Sequence, residues 1–276
     1  MKKYFINLIF LLLISLTSNA HPFKNEEELD KFYNEIAKKI EVELEKNPEK
    51  NIEKDKLKPV KNNYLKDLDF FVDDNYIYAY KDNKIYSIGQ TNYLGETVDG
   101  VFKTFYENGN LESISFIKDG KYYGISKVFY PNGNIFREIP LYEDIENGMR
   151  KIYYDNGKLW EKYYYKNGIE DGEGISYYNN GQISHIRNYR NGIQIGEYFE
   201  YYKNGQLRTK GKYINGYPEG EFPTYTEDGR YSGSIIYKNG EVIESNLTDE
   251  IIQYFIEFEK NYKEGDILWK NLKFYF

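Results

Sequence analysis

The segment Gly196-Glu-Tyr-Phe-Glu-Tyr-Tyr-Lys-Asn-Gly-Gln-Leu207, with Tyr213-Ile-Asn-Gly216 after it, decides how this chain folds, because it recurs. Gly100, Gly124, Gly148, Gly172, Gly196 and Gly220 are spaced by 24 residues each time, and each opens a unit of the form Gly-x4-aromatic-aromatic-x-Asn-Gly-x-aliphatic. The Asn-Gly pairs are Asn108-Gly109, Asn132-Gly133, Asn156-Gly157, Asn180-Gly181 and Asn204-Gly205, with Asp228-Gly229 in the sixth unit. A second turn follows at Asp119-Gly120, Asn167-Gly168, Asn191-Gly192, Asn215-Gly216 and Asn239-Gly240, and Glu143-Asp144 replaces it in the second unit. Self-similarity at a fixed period is the signature of a repeat architecture.

Asn-Gly between short aromatic or β-branched runs is the strongest local hairpin signal, because a type I′ turn needs positive φ at both central residues. Two such turns per unit predict two short strands per unit. Six units in series then form an antiparallel meander that advances about 10 Å per repeat at the usual strand spacing. Tyr76 to Asp99 keeps the aromatic flavour in Tyr78, Tyr80, Ile85 and Tyr86 without the glycine register, and is read as a degenerate earlier unit.

The quoted pattern resembles the MORN repeat variant of bacterial proteins, over residues 100–243. The resemblance implies elongated, twisted β-sheets, and for some members a role as antitoxin or immunity protein in a toxin system. The Tyr-x-Gly-x-Trp pattern of the eukaryotic MORN repeats, with its lipid association, is not reproduced here.

The flanks read differently. Residues 1–20 have the order of a secretory signal: Lys2 and Lys3, an apolar run from Ile6 to Leu16, and Ser18-Asn19-Ala20 as a small-x-small cleavage site. The expected mature chain starts at His21 and lies in the periplasm, at the cell surface or in the medium. Within 21–63, Leu29, Phe32, Tyr33, Ile36, Ile40 and Leu44 recur at helical steps from Asn25 to Asn47, predicting an amphipathic helix that caps one end of the array. The charged stretch 49–63 with Pro59 reads as a linker, and 64–99 as the degenerate unit and cap. Residues 244–276 predict a second cap: a helix from Asp249 to Lys263 with Ile251, Ile252, Phe255, Phe258 and Tyr262 on one stripe, then a closing strand. The fold class is therefore mainly β, an elongated meander of 24-residue hairpins flanked by two helices.

Composition narrows the function. The net charge is -7, and loss of Lys2 and Lys3 with the signal takes it to -9, a poor match for nucleic acid or an anionic membrane. With Cys 0 there is no disulfide, thiol chemistry or thiolate metal site. Only His21 and His185 are present, and neither a Gly-x-Ser-x-Gly elbow nor a phosphate-binding loop occurs, so no enzyme, cofactor or metal is expected. Membrane-barrel strands need about 9 to 11 residues with an apolar lipid face, whereas Lys and Glu fall on both faces here.

Alternation along each strand splits the aromatic pair before the first turn. A two-residue hairpin places Tyr106 opposite Leu111, Tyr130 opposite Ile135, Tyr154 opposite Leu159, Tyr178 opposite Ile183 and Tyr202 opposite Leu207, defining a core face. Phe105, Phe129, Tyr153, Tyr177, Tyr201 and Tyr225 then occupy the other face, joined by Phe136 and Trp160 among polar neighbours. That row is either plain cross-strand packing or a recognition surface, with Phe105, Phe129, Tyr153, Trp160, Tyr177, Tyr201 and Tyr225 as the binding residues. The expected function is that of an exported, non-catalytic module binding a protein, either a surface or host protein or, as an antitoxin or immunity protein, a co-encoded toxin.

Overall fold

The computed structural model describes residues 26–46, 54–60, 68–73, 75–91 and 97–247. The expected signal segment at 1–20, and the helix and strand expected beyond residue 248, lie outside the described residues.

Among the described residues, one α-helix, α1 (Glu26–Lys46), and a short 3-10 turn (Lys54–Lys56) accompany a single sheet of eighteen strands. The strands are β1 (Lys58–Val60), β2 (Asp69–Val72), β3 (Tyr76–Lys81), β4 (Lys84–Thr91), β5 (Thr97–Phe105), β6 (Leu111–Lys118), β7 (Lys121–Phe129), β8 (Ile135–Tyr142), β9 (Ile145–Glu146), β10 (Gly148–Tyr153), β11 (Leu159–Lys166), β12 (Ile169–Tyr177), β13 (Ile183–Arg190), β14 (Ile193–Tyr201), β15 (Leu207–Ile214), β16 (Tyr217–Tyr225), β17 (Tyr231–Lys238) and β18 (Glu241–Ser245). Pairing is antiparallel and follows chain order throughout, except that the two-residue β9 pairs with β8, which also pairs with β10. Each 24-residue unit is thus one nine-residue strand, or its equivalent, a first turn, one eight-residue strand and a second turn.

The two turns differ in kind. At the second turn both residues take positive φ, as in Asn191 (50°) and Gly192 (75°), which is the two-residue type I′ geometry. At the first turn only the glycine does: Gly109 has φ 84°, Gly109 N donates to Tyr106 O at 2.8 Å, and Tyr106 N donates to Asn110 O at 2.9 Å. This is a three-residue loop, a type I turn closed by a left-handed glycine. The Asn108 side chain favours it by accepting a hydrogen bond from Asn110 N at 3.0 Å.

The extra loop residue shifts the expected register by one. Phe105 pairs with Leu111, Phe129 with Ile135, Tyr153 with Leu159, Tyr177 with Ile183 and Tyr201 with Leu207, so the first aromatic of each pair, not the second, faces the aliphatic residue. A bulge follows at the next residue, and Phe136, Trp160 and Arg208 there turn to the second tyrosine: ring centroids are 5.0 Å apart for Tyr130 and Phe136 and 5.6 Å for Tyr154 and Trp160.

Helix α1 lies across the sheet face rather than over an end of the array, correcting the expected cap. Ile36 and Ile40 are buried against Val101, Ile114, Phe116 and Tyr123 of the first two repeats. Tyr33 Oη donates to Asn147 O at 2.6 Å at one end, and Lys103 Nζ donates to Glu43 O at 2.9 Å at the other. The later repeats offer the helix a different face. Positions occupied by Val101, Ile114 and Phe116 become Glu197, Lys210 and Lys212 further along, which offer its apolar stripe nothing to bury against.

Two further readings are refined. Within the stretch 49–63, expected as a linker, Lys58–Val60 pairs with Val72–Phe70. Pro59 is compatible with this because β1 is an edge strand, where a missing N–H breaks no ladder. The degenerate unit forms the hairpin β3–β4, closed by Asp82 (φ 50°) and Asn83 (φ 63°) without glycine. Phe105 and Ile88 pack there with Tyr78 and Tyr80.

Candidate functional site

Two rows of tyrosine leave the repeats in opposite directions and have different hydrogen-bonding states. The second tyrosine of each pair belongs to the face opposite α1. Tyr106 Oη donates to Phe129 O (2.6 Å), Tyr130 to Tyr153 O (2.8 Å), Tyr154 to Tyr177 O (2.8 Å), Tyr178 to Tyr201 O (2.7 Å) and Tyr202 to Tyr225 O (2.9 Å). Each hydroxyl therefore staples its unit to the next at a constant offset. The turn asparagines repeat the device, Asn180 Nδ2 donating to Lys203 O at 2.7 Å and Asn204 Nδ2 to Glu227 O at 2.8 Å. Burial raises the pKa of Tyr106, Tyr130 and Tyr154, keeping these donors protonated.

The residues expected to bind a partner are not a single surface. Phe105 is buried between the β3–β4 hairpin and the first repeat, and Phe129 packs against the cluster under α1. Trp160 is on the opposite face, stacked on Tyr154. Tyr153, Tyr177, Tyr201 and Tyr225 do share one face, half-buried, in the region that α1 leaves uncovered. Tyr153 Oη donates to Glu138 at 2.9 Å, and its pKa is raised by burial and then by that carboxylate. Among the described residues the hydroxyls of Tyr177, Tyr201 and Tyr225 have no hydrogen-bond partner. Their rings are held by Ile183, Leu207 and Tyr231 across the strand pairs, with Phe199 stacked beside Tyr201 at 6.5 Å.

The opposite face in the third to fifth repeats carries charge. Paired positions run Glu161, Ser176, His185, Glu200, Thr209 and Thr224 across successive strands. Arg208, 1% exposed, donates to Glu200 at 2.6 Å, and Tyr198 Oη donates to the same carboxylate at 3.1 Å. His185 is neutral: burial, then the nearby Arg187 and Arg208 charges, lower its pKa to about 3. Burial raises the pKa of Glu161, against the pull of Arg150 and Arg187.

Beside this row, rings lie over glycines. A Cβ on Gly174 would meet the Tyr163 ring at 2.3 Å, and one on Gly211 would meet the Phe222 ring at 2.3 Å. Sequence reading passed over this site. The signal that marks it is a break in the repeat: Arg187 stands where the other units have Ser115, Ile139, Tyr163, Gly211 and Ile235. Among the described residues no group of three or more His, Cys, Asp or Glu is arranged to hold a metal ion.

A single sheet of stapled 24-residue hairpins, with half-buried tyrosines at one position of the third to sixth units, defines a hairpin-repeat protein. Residues 98–119, 122–144, 146–167, 170–191 and 194–215 match the model of the MORN repeat variant family. The sixth hairpin, β16–β17, lies beyond the matched residues and keeps the same register, Tyr225 pairing with Tyr231. No curated protein matches the chain.

Proposed function

We propose that this chain is an exported, non-catalytic repeat protein that binds a protein partner along the α1-side face of its later repeats. The supporting observation is the row Tyr153, Tyr177, Tyr201 and Tyr225, where one aromatic per unit is displayed about every 10 Å and the last three hydroxyls have no hydrogen-bond partner among the described residues. Tyrosine presents a rigid apolar ring with a polar tip and dominates interface hot spots. Residues 1–20 support export, and the acidic balance supports a protein partner over nucleic acid.

The full chain is expressed in a bacterium and fractionated, and the tagged protein is used to capture partners from periplasm and medium. N-terminal sequencing is expected to begin at His21. The triple variant Tyr177→Ala, Tyr201→Ala, Tyr225→Ala is expected to remain folded by circular dichroism and to lose a partner that the parent retains. Capture unaffected by the triple variant would remove the row from the function. Recovery of intact Met1 in the cytoplasm would favour the alternative, an antitoxin or immunity protein acting on a co-encoded toxin inside the cell.

A further inference from the structure

On the face opposite α1, Arg187 stands between two aromatic groups. It pairs with Gly174, and across that glycine its Nη1 donates to Tyr163 Oη at 2.9 Å. Tyr163 packs on Tyr189 with centroids 5.8 Å apart. On the far side Tyr198 packs on Tyr213 at 5.6 Å, and Tyr213 on Phe222 at 6.0 Å. No carboxylate among the described residues lies within 4.0 Å of the guanidinium. Glu200, the nearest candidate by row, is already held by Arg208 and Tyr198. The hydroxyls of Tyr189 and Tyr213 also have no hydrogen-bond partner among the described residues.

Arginine has five donors in a fixed fork that matches a carboxylate, and here one goes to a neutral phenol. Other repeats place serine, isoleucine, tyrosine or glycine at this position, so packing does not require a charge there. Glu161 attracts this guanidinium only from beyond 4.0 Å, so its fork has no direct carboxylate partner among the described residues, and an incoming anion would supply one. The neighbouring carboxylates Glu161 and Glu200 repel a dianionic phosphate twice as strongly as a carboxylate, which offsets the stronger pull of Arg187 on the dianion, while the single fork matches one carboxylate. The flanking rings favour a flat apolar body, which stacks on an aromatic face.

We infer that Arg187, with Tyr163, Tyr189, Tyr198 and Tyr213 around it, forms a binding site for a single carboxylate attached to a flat apolar group. The site is on the opposite face from the tyrosine row of the proposed function and does not rest on that reading.

The test uses the full chain with benzoate, benzyl alcohol and phenyl phosphate as probes, followed by ligand-observed NMR titration. Benzoate is expected to bind with a Kd on the order of millimolar, as suits so small a ligand, and both other probes at least about tenfold more weakly, one tenfold step being about 1.4 kcal/mol. Arg187→Met should weaken benzoate at least about tenfold and Arg187→Lys less, because lysine keeps the charge and loses the fork. Arg187→Met should fold, since Ile139 and Ile235 occupy the equivalent positions, and circular dichroism checks this. Benzoate binding that survives Arg187→Met, phenyl phosphate binding as tightly as benzoate, or no benzoate binding up to about 20 mM, well above the expected Kd, would each overturn the assignment.

Discussion

Tyr154 Oη lies 2.8 Å from the carbonyl oxygen of Tyr177, and the same bond joins four other unit pairs at the same offset of 23 residues. The tyrosine that ends one strand is thereby tied to the backbone of the next hairpin but one. In a linear array each unit contacts only its neighbours, so such repeated interface terms set the cooperativity of the whole.

Tyr154→Phe and Tyr178→Phe are each expected to cost about 1 kcal/mol, the usual net value of one intramolecular hydrogen bond. Tyr177→Phe removes a hydroxyl with no hydrogen-bond partner among the described residues and should stay within about 0.5 kcal/mol of the parent. Urea unfolding followed by circular dichroism separates the two outcomes. Equal effects in both rows would mean that the staples contribute nothing.

Ile36 is one of the contacts through which α1 holds the sheet, and Gly124 is a position that admits it. A Cβ at Gly124 would meet Ile36 Cγ2 at 2.3 Å, and the glycine φ is 78°. Ile36→Ala should cost about 2–5 kcal/mol, as buried large-to-small changes do. Gly124→Ala should destabilise through both the contact and the backbone conformation. In each variant limited proteolysis should cut within α1 before it cuts the later repeats, and simultaneous cutting would show that helix docking is not separable from the array.

Gly174→Ala should destabilise by about 1–3 kcal/mol because the Tyr163 ring has nowhere to go without leaving its row. Gly174→Ala combined with Tyr163→Leu should recover part of that loss, and the coupling energy is read from a double-mutant cycle. Purely additive effects would show that the ring and the glycine do not depend on each other.

His185 contributes a pH dependence of definite sign. Its pKa, about 3 in the folded chain, is below the unfolded value, so the unfolded state binds the extra proton first. Stability is therefore fully present above about pH 6.5, the unfolded value, and is lost as pH falls towards the folded pKa. The slope contributed by one such group approaches about 1.4 kcal/mol per pH unit. Between pH 6.5 and 5, above most carboxylate titration, His185→Gln should flatten the unfolding free energy against pH. An unchanged slope would show that His185 is solvated in the folded state.

Much of this structure was already legible in the residues. The 24-residue period, two hairpins per unit, the degenerate unit at Tyr76 and the helix over Phe32, Ile36 and Ile40 all follow from local chemistry, because Asn-Gly dictates reversal and helical spacing dictates a stripe. What local chemistry left undetermined was how many residues each turn uses. Asn108-Gly109 and Asn191-Gly192 read alike, yet the first closes a three-residue loop and the second a two-residue one. That single residue decides whether Phe105 or Tyr106 faces Leu111, since side chains alternate with a period of two. Only the paired sheet could settle it, through the hydrogen bonds of Tyr106 with Asn110 and Phe129. The resting place of α1 was likewise a tertiary decision, because an amphipathic stripe specifies that it must be buried and not against what. The surroundings of Arg187 come from four strands brought side by side, and no spacing within one strand contains them.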